Sequence, residues 1–527
     1  MFNIKRLVCL ILLAFVFIGI TGCKKDDGAI QSGELVVVED TKDIKLGIYN
    51  IDTLNPILTR SGSVQEIMNI VYEPLFSINE KRELENVLAA GYTLSDDGRQ
   101  ITVNLKNNIK WSDGTKFTAK DVIYTLSQIK SENGFYQKAK TNILSFVATN
   151  SYQVIIDFEN PEPNLAYYLT FPIIKDGSAN GEEFVPIGTG AYAFSSKNGT
   201  EIILFPNNLW WGKDISKKKI IVKILKDKAA QKEAFRVGEI DAFTSDEVGE
   251  ELAISKGNSA LVSTLTDKMV FVGFNTKSTA LSSEYTRRAL VNLIDKKKIL
   301  ENNAYGHGKV ADICVNPDSW AHQTREVKAD AKDTAKKLIE GEGYALSDGV
   351  YYKNEQPLTL KILVNVDNLS REAIAESVAG MLKSAGISVE IDKVSYEEYL
   401  SKIDRQAFDI FIGEITVEPN LNPMTMLKSN DNYFNFDTSE LFEVYSELLG
   451  SVGKEEYKKV LQKFVTVFYK NPPYLPLYFK SESVIYANYV SGQDVPMENN
   501  LYRGIQKWYY YDKNENQEGN SEEISDE

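Results

Sequence analysis

The stretch Ile101–Tyr124, ITVNLKNNIKWSDGTKFTAKDVIY, decides how the rest of the chain is read. Ile101, Val103 and Leu105 alternate with Thr102 and Asn104, the period of a strand with one buried face. Ser112-Asp113-Gly114 is turn chemistry, with glycine accepting backbone angles that other residues resist. Thr118-Ala119-Lys120-Asp121 then has the spacing of a capping box. The Thr118 hydroxyl is expected to bond one free amide of the helix and the Asp121 carboxylate to reach back to another. Strand, turn and capped helix therefore follow one another within this one segment.

Working outward, Asp43–Tyr49 reads as a first strand, followed by the loop Asp52-Thr53-Leu54-Asn55-Pro56. Val64–Phe76, with Ile67, Ile70 and Val71 at helical spacing, reads as an amphipathic helix ending in Tyr72-Glu73-Pro74-Leu75-Phe76. Phe271–Asn275 reads as a strand leading to the helix around Thr286–Leu290. Asp333–Tyr344 is a helix with Gly341 and Gly343 at its stop, followed by a hairpin and a strand Leu358–Val364. Ile374–Ser384 is an amphipathic helix stopped at Gly386 and feeding the strand Ile387–Ile391, an α/β unit. Phe408–Ile412 is a short apolar strand. Pro472–Tyr478 is interrupted by prolines and reads as too broken for a central strand, an extended crossing segment instead. Periodicity alone gives a large mixed α/β chain with more than one domain and no repeat of fixed period.

The N-terminus fixes the compartment. Lys5 and Arg6 precede the apolar run Leu7–Ile20, too short for a comfortable membrane span. It ends in Ile20-Thr21-Gly22-Cys23, which resembles a bacterial lipobox. That resemblance implies cleavage before Cys23 and a diacylglycerol thioether on it, two acyl chains being enough for stable anchoring. A plain secretory signal with a coincidental cysteine, or an uncleaved anchor helix, are the alternatives. Residues 23–43 are polar and read as a flexible tether, placing the protein on the outer face of the cell membrane. With Cys9 in the leader and Cys23 at the lipid site, Cys314 is left alone, so packed cores rather than disulfides must hold the fold. The net charge of −15 argues against nucleic acid and against lying flat on anionic lipid. Residues 513–527 form an acidic tail with almost no apolar side chain.

The opening stretch also resembles the signature segment of the solute-binding proteins of peptide and nickel ABC importers, the bacterial extracellular family 5. In that family a Leu-Arg or Leu-Lys strand end runs into a Trp-Ser-Asp-Gly turn and an Ala-x-Asp-Val helix. Here these are Leu105-Lys106, Trp111–Gly114 and Ala119–Val122. Gly188-Thr189-Gly190-Ala191-Tyr192 matches a further motif, with alanine where the family usually has proline. Asn207–Gly212, NNLWWG, resembles the family's Asn-x-x-Tyr-Trp-Gly, and Trp111, Trp210 and Trp211 are read as scaffold.

The resemblance implies a two-lobed α/β fold of the periplasmic-binding-protein type, class II, with an extra accessory domain and a central ligand cleft. On that pattern 44–60, 185–275 and 480–512 form one discontinuous lobe, 61–184 the accessory domain and 276–479 the second lobe. The implied role is membrane-anchored capture of oligopeptides or dipeptides for a permease, by a monomer without cofactor or bound metal. A peptide-sensing lipoprotein and a binder of chelated metal are the other readings.

Ligand-facing positions are carried over from the family's cleft loops. Leu54–Gly62 contains Arg60 as its only charged side chain, and Tyr136 lies where some relatives supply an aromatic wall. Tyr136 as a surface loop residue stays open. Gly413–Pro423, GEITVEPNLNP, presents Glu414, Glu418 and Asn420. Peptide binders of the family usually carry a tryptophan after that glycine and, three residues later, an aspartate that takes the peptide amino group. Those positions here hold Glu414 and Val417, and Glu418 is the nearest substitute. Glu414 and Glu418 as solvated loop charges is the equal alternative.

Catalysis has little to work with. His307 and His322 are the only histidines, no GxSxG, HExxH or phosphate-loop motif is present, and Cys314 has no activating neighbour in sequence.

Overall fold

The computed structural model describes residues 42–131, 136–179, 184–247, 259–325, 330–428 and 432–510. Cys23, nearly all of the tether and the acidic tail lie outside them. Among the described residues no helix is long and apolar enough to cross a membrane.

Two long strands, Ser259–Phe274 and Tyr474–Ala487, run antiparallel through the middle of an eleven-stranded sheet. On one side of them lie Ile410–Thr416, Thr359–Asn365 and Ser388–Val394, which are mutually parallel. On the other side lie Ala242–Ser245, Ile44–Tyr49 and Ile220–Leu225, also parallel to one another, followed by an antiparallel edge. Both halves of the molecule thus hang on the same pair of strands.

Alternation along the strands assigns side chains to separate cores. Val270, Val272 and Phe274 join Ile410, Ile412, Leu475 and Leu477 on one face, while Met269, Phe271, Phe411 and Tyr474 point to the other. Apolar stripes of the helices Leu369–Ser384 and Lys454–Lys470 cover opposite faces. A third core is drawn from residues 44–243 and 484–508.

The proline-bearing segment differs from its sequence reading. Pro476 lies inside a central strand, at a register shift where Val270 faces Tyr478 and Phe271 faces Pro476. A bulge accommodates a residue with no N–H to donate, so proline is tolerated without ending the strand. The helix expected over 64–76 spans Gly62–Val71 instead. Tyr72 is already extended, because the residues entering Pro74 are forced out of helical backbone, and Phe76–Ile78 forms a short strand.

The opening segment folds as strand Gln100–Leu105, turn, and helix Ala119–Ser131 in a four-stranded antiparallel sheet. Gly114 has φ +88°, which the turn requires. Only half of the capping box forms. The Thr118 N–H donates to Asp121 Oδ2 at 2.8 Å, but the Thr118 hydroxyl also turns to Asp121, at 3.3 Å. Asp121 Oδ1 accepts the Asp176 N–H at 2.9 Å, so one carboxylate ties the helix start to a distant loop.

The glycine-framed turn has a steric cause. A Cβ on Gly188 or Gly190 would fall 1.9 Å and 2.6 Å from carbonyl oxygens of Val71 and Ile70, at the end of the first helix. Glu73, just beyond, accepts the indole N–H of Trp210 at 3.0 Å and of Trp211 at 2.7 Å, and Trp111 is fully buried. The three tryptophans are scaffold.

Candidate functional site

The residues carried over from sequence divide among separate places. Arg60 is exposed, in a turn organised by Asp52, whose carboxylate accepts the N–H groups of Thr53 and Arg60 at 2.7 Å each. Tyr136 is half-buried, its hydroxyl bonded to Gln65 at 3.2 Å and its ring 5.8 Å from that of Phe171. Glu414 is not on a loop. It belongs to the strand Ile410–Thr416, opposite Val270, and pairs with Lys480 at 3.5 Å. The loop expected over 413–423 begins only after Thr416, since the apolar strand continues through the backbone pairing of Gly413–Thr416.

Glu418 and Asn420 do come together, in a buried network reaching back to residues 162–168. The Tyr168 hydroxyl donates to Glu418 at 2.7 Å, and Asn420 Nδ2 donates to Tyr168 at 2.9 Å and to Glu162 at 3.3 Å. Asn422 Nδ2 donates to Glu162 at 2.7 Å, and the Tyr445 hydroxyl also donates to Glu162, at 3.3 Å. Lys428 closes the set, 2.6 Å from Glu162 and 3.5 Å from Glu418. Burial raises the Glu162 carboxyl while Lys428 opposes the shift. Every charge here has a partner of opposite sign within the protein.

A second cluster lies where the parallel strands end. Tyr49 closes Ile44–Tyr49, and Asp246 follows Ala242–Ser245. Glu66 faces them from the first helix, and Lys268, Lys480 and Glu482 come from the two long strands. The carboxyl ends of parallel strands are where open α/β sheets receive ligands. The Thr244 hydroxyl donates to Glu66, Lys228 bonds Asp246 and Glu247 at 2.9 Å each, and Glu498 accepts the Asp267 N–H at 2.9 Å beside Arg82. Burial, reinforced by Glu482, raises the Glu66 carboxyl well above its ordinary range, and burial raises Glu482 as well. Burial works against the Lys268 ammonium, yet Glu482, Asp246, Glu498 and Glu414 together raise it.

Sequence reasoning missed this cluster except for Glu414. The signal was present in Lys480-Ser481-Glu482, charges breaking an otherwise apolar run from Tyr474 to Ala487, and in Asp267-Lys268 within the other long strand. Ser481 leaves the opposite face from Glu482 and lines a separate cavity of about 490 Å³ with Ser263, Leu265, Glu80, Arg82 and His307. Among the described residues no group of three or more His, Cys, Asp or Glu is placed to hold a metal ion. Cys314 is 1% exposed, its thiol pushed by burial up to about 11 and donating to the Pro423 carbonyl at 2.9 Å, an inert setting.

Two lobes sharing a pair of crossing strands, with charged groups at their parallel-strand ends, define the class of two-lobed extracellular solute-binding proteins. Within it, the chain belongs to the bacterial extracellular solute-binding proteins, family 5, whose middle-region model matches residues 83–436. The oligopeptide-binding protein AppA of Bacillus subtilis is 22% identical over 93% of this chain and 94% of its own. The structure of that AppA with a nonapeptide aligns with TM-score 0.63, 20% identity, 90% of this chain and 100% of the other. NikA from Brucella suis in complex with Fe(III)-EDTA aligns with TM-score 0.71 and 22% identity over 89% of this chain and 100% of the other. The family consists of substrate-binding transport proteins.

Proposed function

We propose that this protein is the substrate-binding subunit of an ABC importer, tethered outside the cell membrane by lipid on Cys23, and that it captures oligopeptides or dipeptides for a permease. One observation carries the reading. Carboxylates and ammonium groups, Asp246, Lys268, Lys480 and Glu482 from the first lobe, Glu414 from the second and Glu66 from the accessory segment, face one region at the parallel-strand ends. Such a mixed-sign surface suits a zwitterionic solute better than a simple anion or an apolar one. The full-length similarity to an oligopeptide-binding protein supports the same choice. Residues 44–60, 185–275 and 480–512 are assigned to one lobe, 61–184 to an accessory domain and 276–479 to the other. Closure is a hinge motion about the two long strands. The protein acts as a monomer and performs no chemistry on its solute.

Native mass spectrometry of protein purified without denaturation tests this. A ladder of peptide masses on a monomer is expected. One defined small molecule, or a metal adduct, overturns the peptide reading. The mature N-terminal mass tests the anchor, and a start other than lipidated Cys23 removes it.

A further inference from the structure

The carboxylates around the cleft differ in how they are paired. Glu414 has Lys480, Asp246 has Lys228, and Glu498 has Arg82 together with the Asp267 amide. Glu418, the position expected from sequence to take an amino group, is bonded by Tyr168 and Lys428. Glu66 and Glu482 remain. Glu66 accepts only the Thr244 hydroxyl among the described residues, and no cation lies within ion-pair distance of either carboxylate.

An independent observation comes from a third element. Tyr502 is 1% exposed and lies beside Thr244, Glu66 and Glu482, and among the described residues its hydroxyl has no partner in hydrogen-bond geometry, Thr244 donating to Glu66 instead. A buried hydroxyl left unbonded costs free energy, and such a group next to two carboxylates is what an arriving donor would satisfy. Two carboxylates and two hydroxyl oxygens offer acceptors here, and among the described residues the lysines that face them, Lys268, Lys480 and Lys228, stay outside ion-pair distance of both carboxylates. A primary ammonium, with three N–H donors and one positive charge, complements these acceptors.

We propose that Glu66 and Glu482, with the hydroxyl oxygens of Thr244 and Tyr502, seat the primary ammonium of the bound solute. This rests on the peptide reading above and makes the peptide amine, rather than its carboxylate, the group held at this pair of carboxylates. Ligand-free, burial and the negative charges around them hold both carboxyls above their ordinary range. Binding of R–NH₃⁺ favours the ionised form of both, and any proton they carry leaves to solvent. Groups facing the pair are consistent with net acceptance of a cation. Asp246, Tyr49 and Tyr502 face Glu66, and Asp246 and Glu498 add negative charge near Glu482. Lys268 faces both, with Lys480 and Lys228 further partners of Glu482. Affinity is therefore expected to rise as pH climbs from the ordinary carboxylate range through the raised range of the pair, and to fall again once the amine loses its proton.

The test uses the mature protein stripped of solute and a casein digest, either untreated or with its amines acetylated, with retention read by native mass spectrometry. Retention of the untreated digest and loss of the acetylated one supports the proposal. Equal retention of both overturns the ammonium seat and leaves the peptide reading standing. Retention of neither overturns the peptide reading, and the seat with it. Glu66→Gln and Glu482→Gln should each reduce retention of the untreated digest about tenfold with the circular dichroism spectrum unchanged. Wild-type retention by both variants also overturns the seat, and because the acetylation arm uses unmodified protein the outcome does not depend on either variant folding.

Discussion

The network around Glu162 and Glu418 and the cluster around Glu66 and Glu482 are both enclosed carboxylate pairs, and they differ in what completes them. In the first, Lys428, Tyr168, Asn420, Asn422 and Tyr445 supply the counter-charge and donors from within the chain. In the second, Thr244 donates to Glu66 and, among the described residues, the Tyr502 hydroxyl is unbonded and no ammonium lies within ion-pair distance of either carboxylate. A closed network specifies one packing of the loop 417–428 on residues 162–168. An incomplete one holds free energy that a ligand can release. A carboxylate's position in the family pattern is thus a weaker guide to binding than the partners it finds in the fold.

The comparison breaks most visibly at Lys428. Replacing it with methionine leaves Glu162 and Glu418 facing each other without their cation, and should cost about 3 kcal/mol in urea unfolding. A loss under about 1 kcal/mol would mean the network is not closed as described.

Acidity sharpens the second half. A carboxyl whose folded pKa is raised above its unfolded value contributes stability fully present below the unfolded value, near 4.5, and lost as pH rises through the folded one. Ligand-free protein should therefore lose stability through Glu66 and Glu482 on going from acid to neutral pH. Glu66→Gln removes part of that loss. Its Tm should exceed the parent's by roughly 1–3 °C at pH 8 and match it near pH 4. A variant less stable than the parent at pH 8 would contradict the raised carboxyl.

Tyr502→Phe should have the smallest effect on stability, within about 0.5 kcal/mol, because its hydroxyl has no bond to lose in the ligand-free protein. Thermal unfolding with and without bound peptide separates that neutral change from the expected drop in ligand-induced stabilisation.

Much of the fold was legible because local chemistry and tertiary role coincide there. The strand, glycine turn and helix of 101–124 are each set by residues within a few positions of one another. Gly188 and Gly190 are read correctly as a turn, though the reason, contact with the end of the first helix, is long-range and invisible to periodicity. Pro476 misled because a strand bulge depends on the partner strand. The site was the least legible part. Glu418 matched a family loop, but its fate was decided by Lys428 and by Tyr168, some two hundred and fifty residues away. Glu66 reads as the polar face of an amphipathic helix, and only folding shows that this face meets Glu482 and Tyr502.

The most direct measurement is a calorimetric titration of one peptide recovered from the purified protein into Glu66→Gln and Glu418→Gln side by side. Binding about tenfold weaker is expected for Glu66→Gln, and affinity within about twofold of the parent for Glu418→Gln. The reverse order would return the amine to the loop at 413–423 and contradict the assignment made from the unpaired carboxylates.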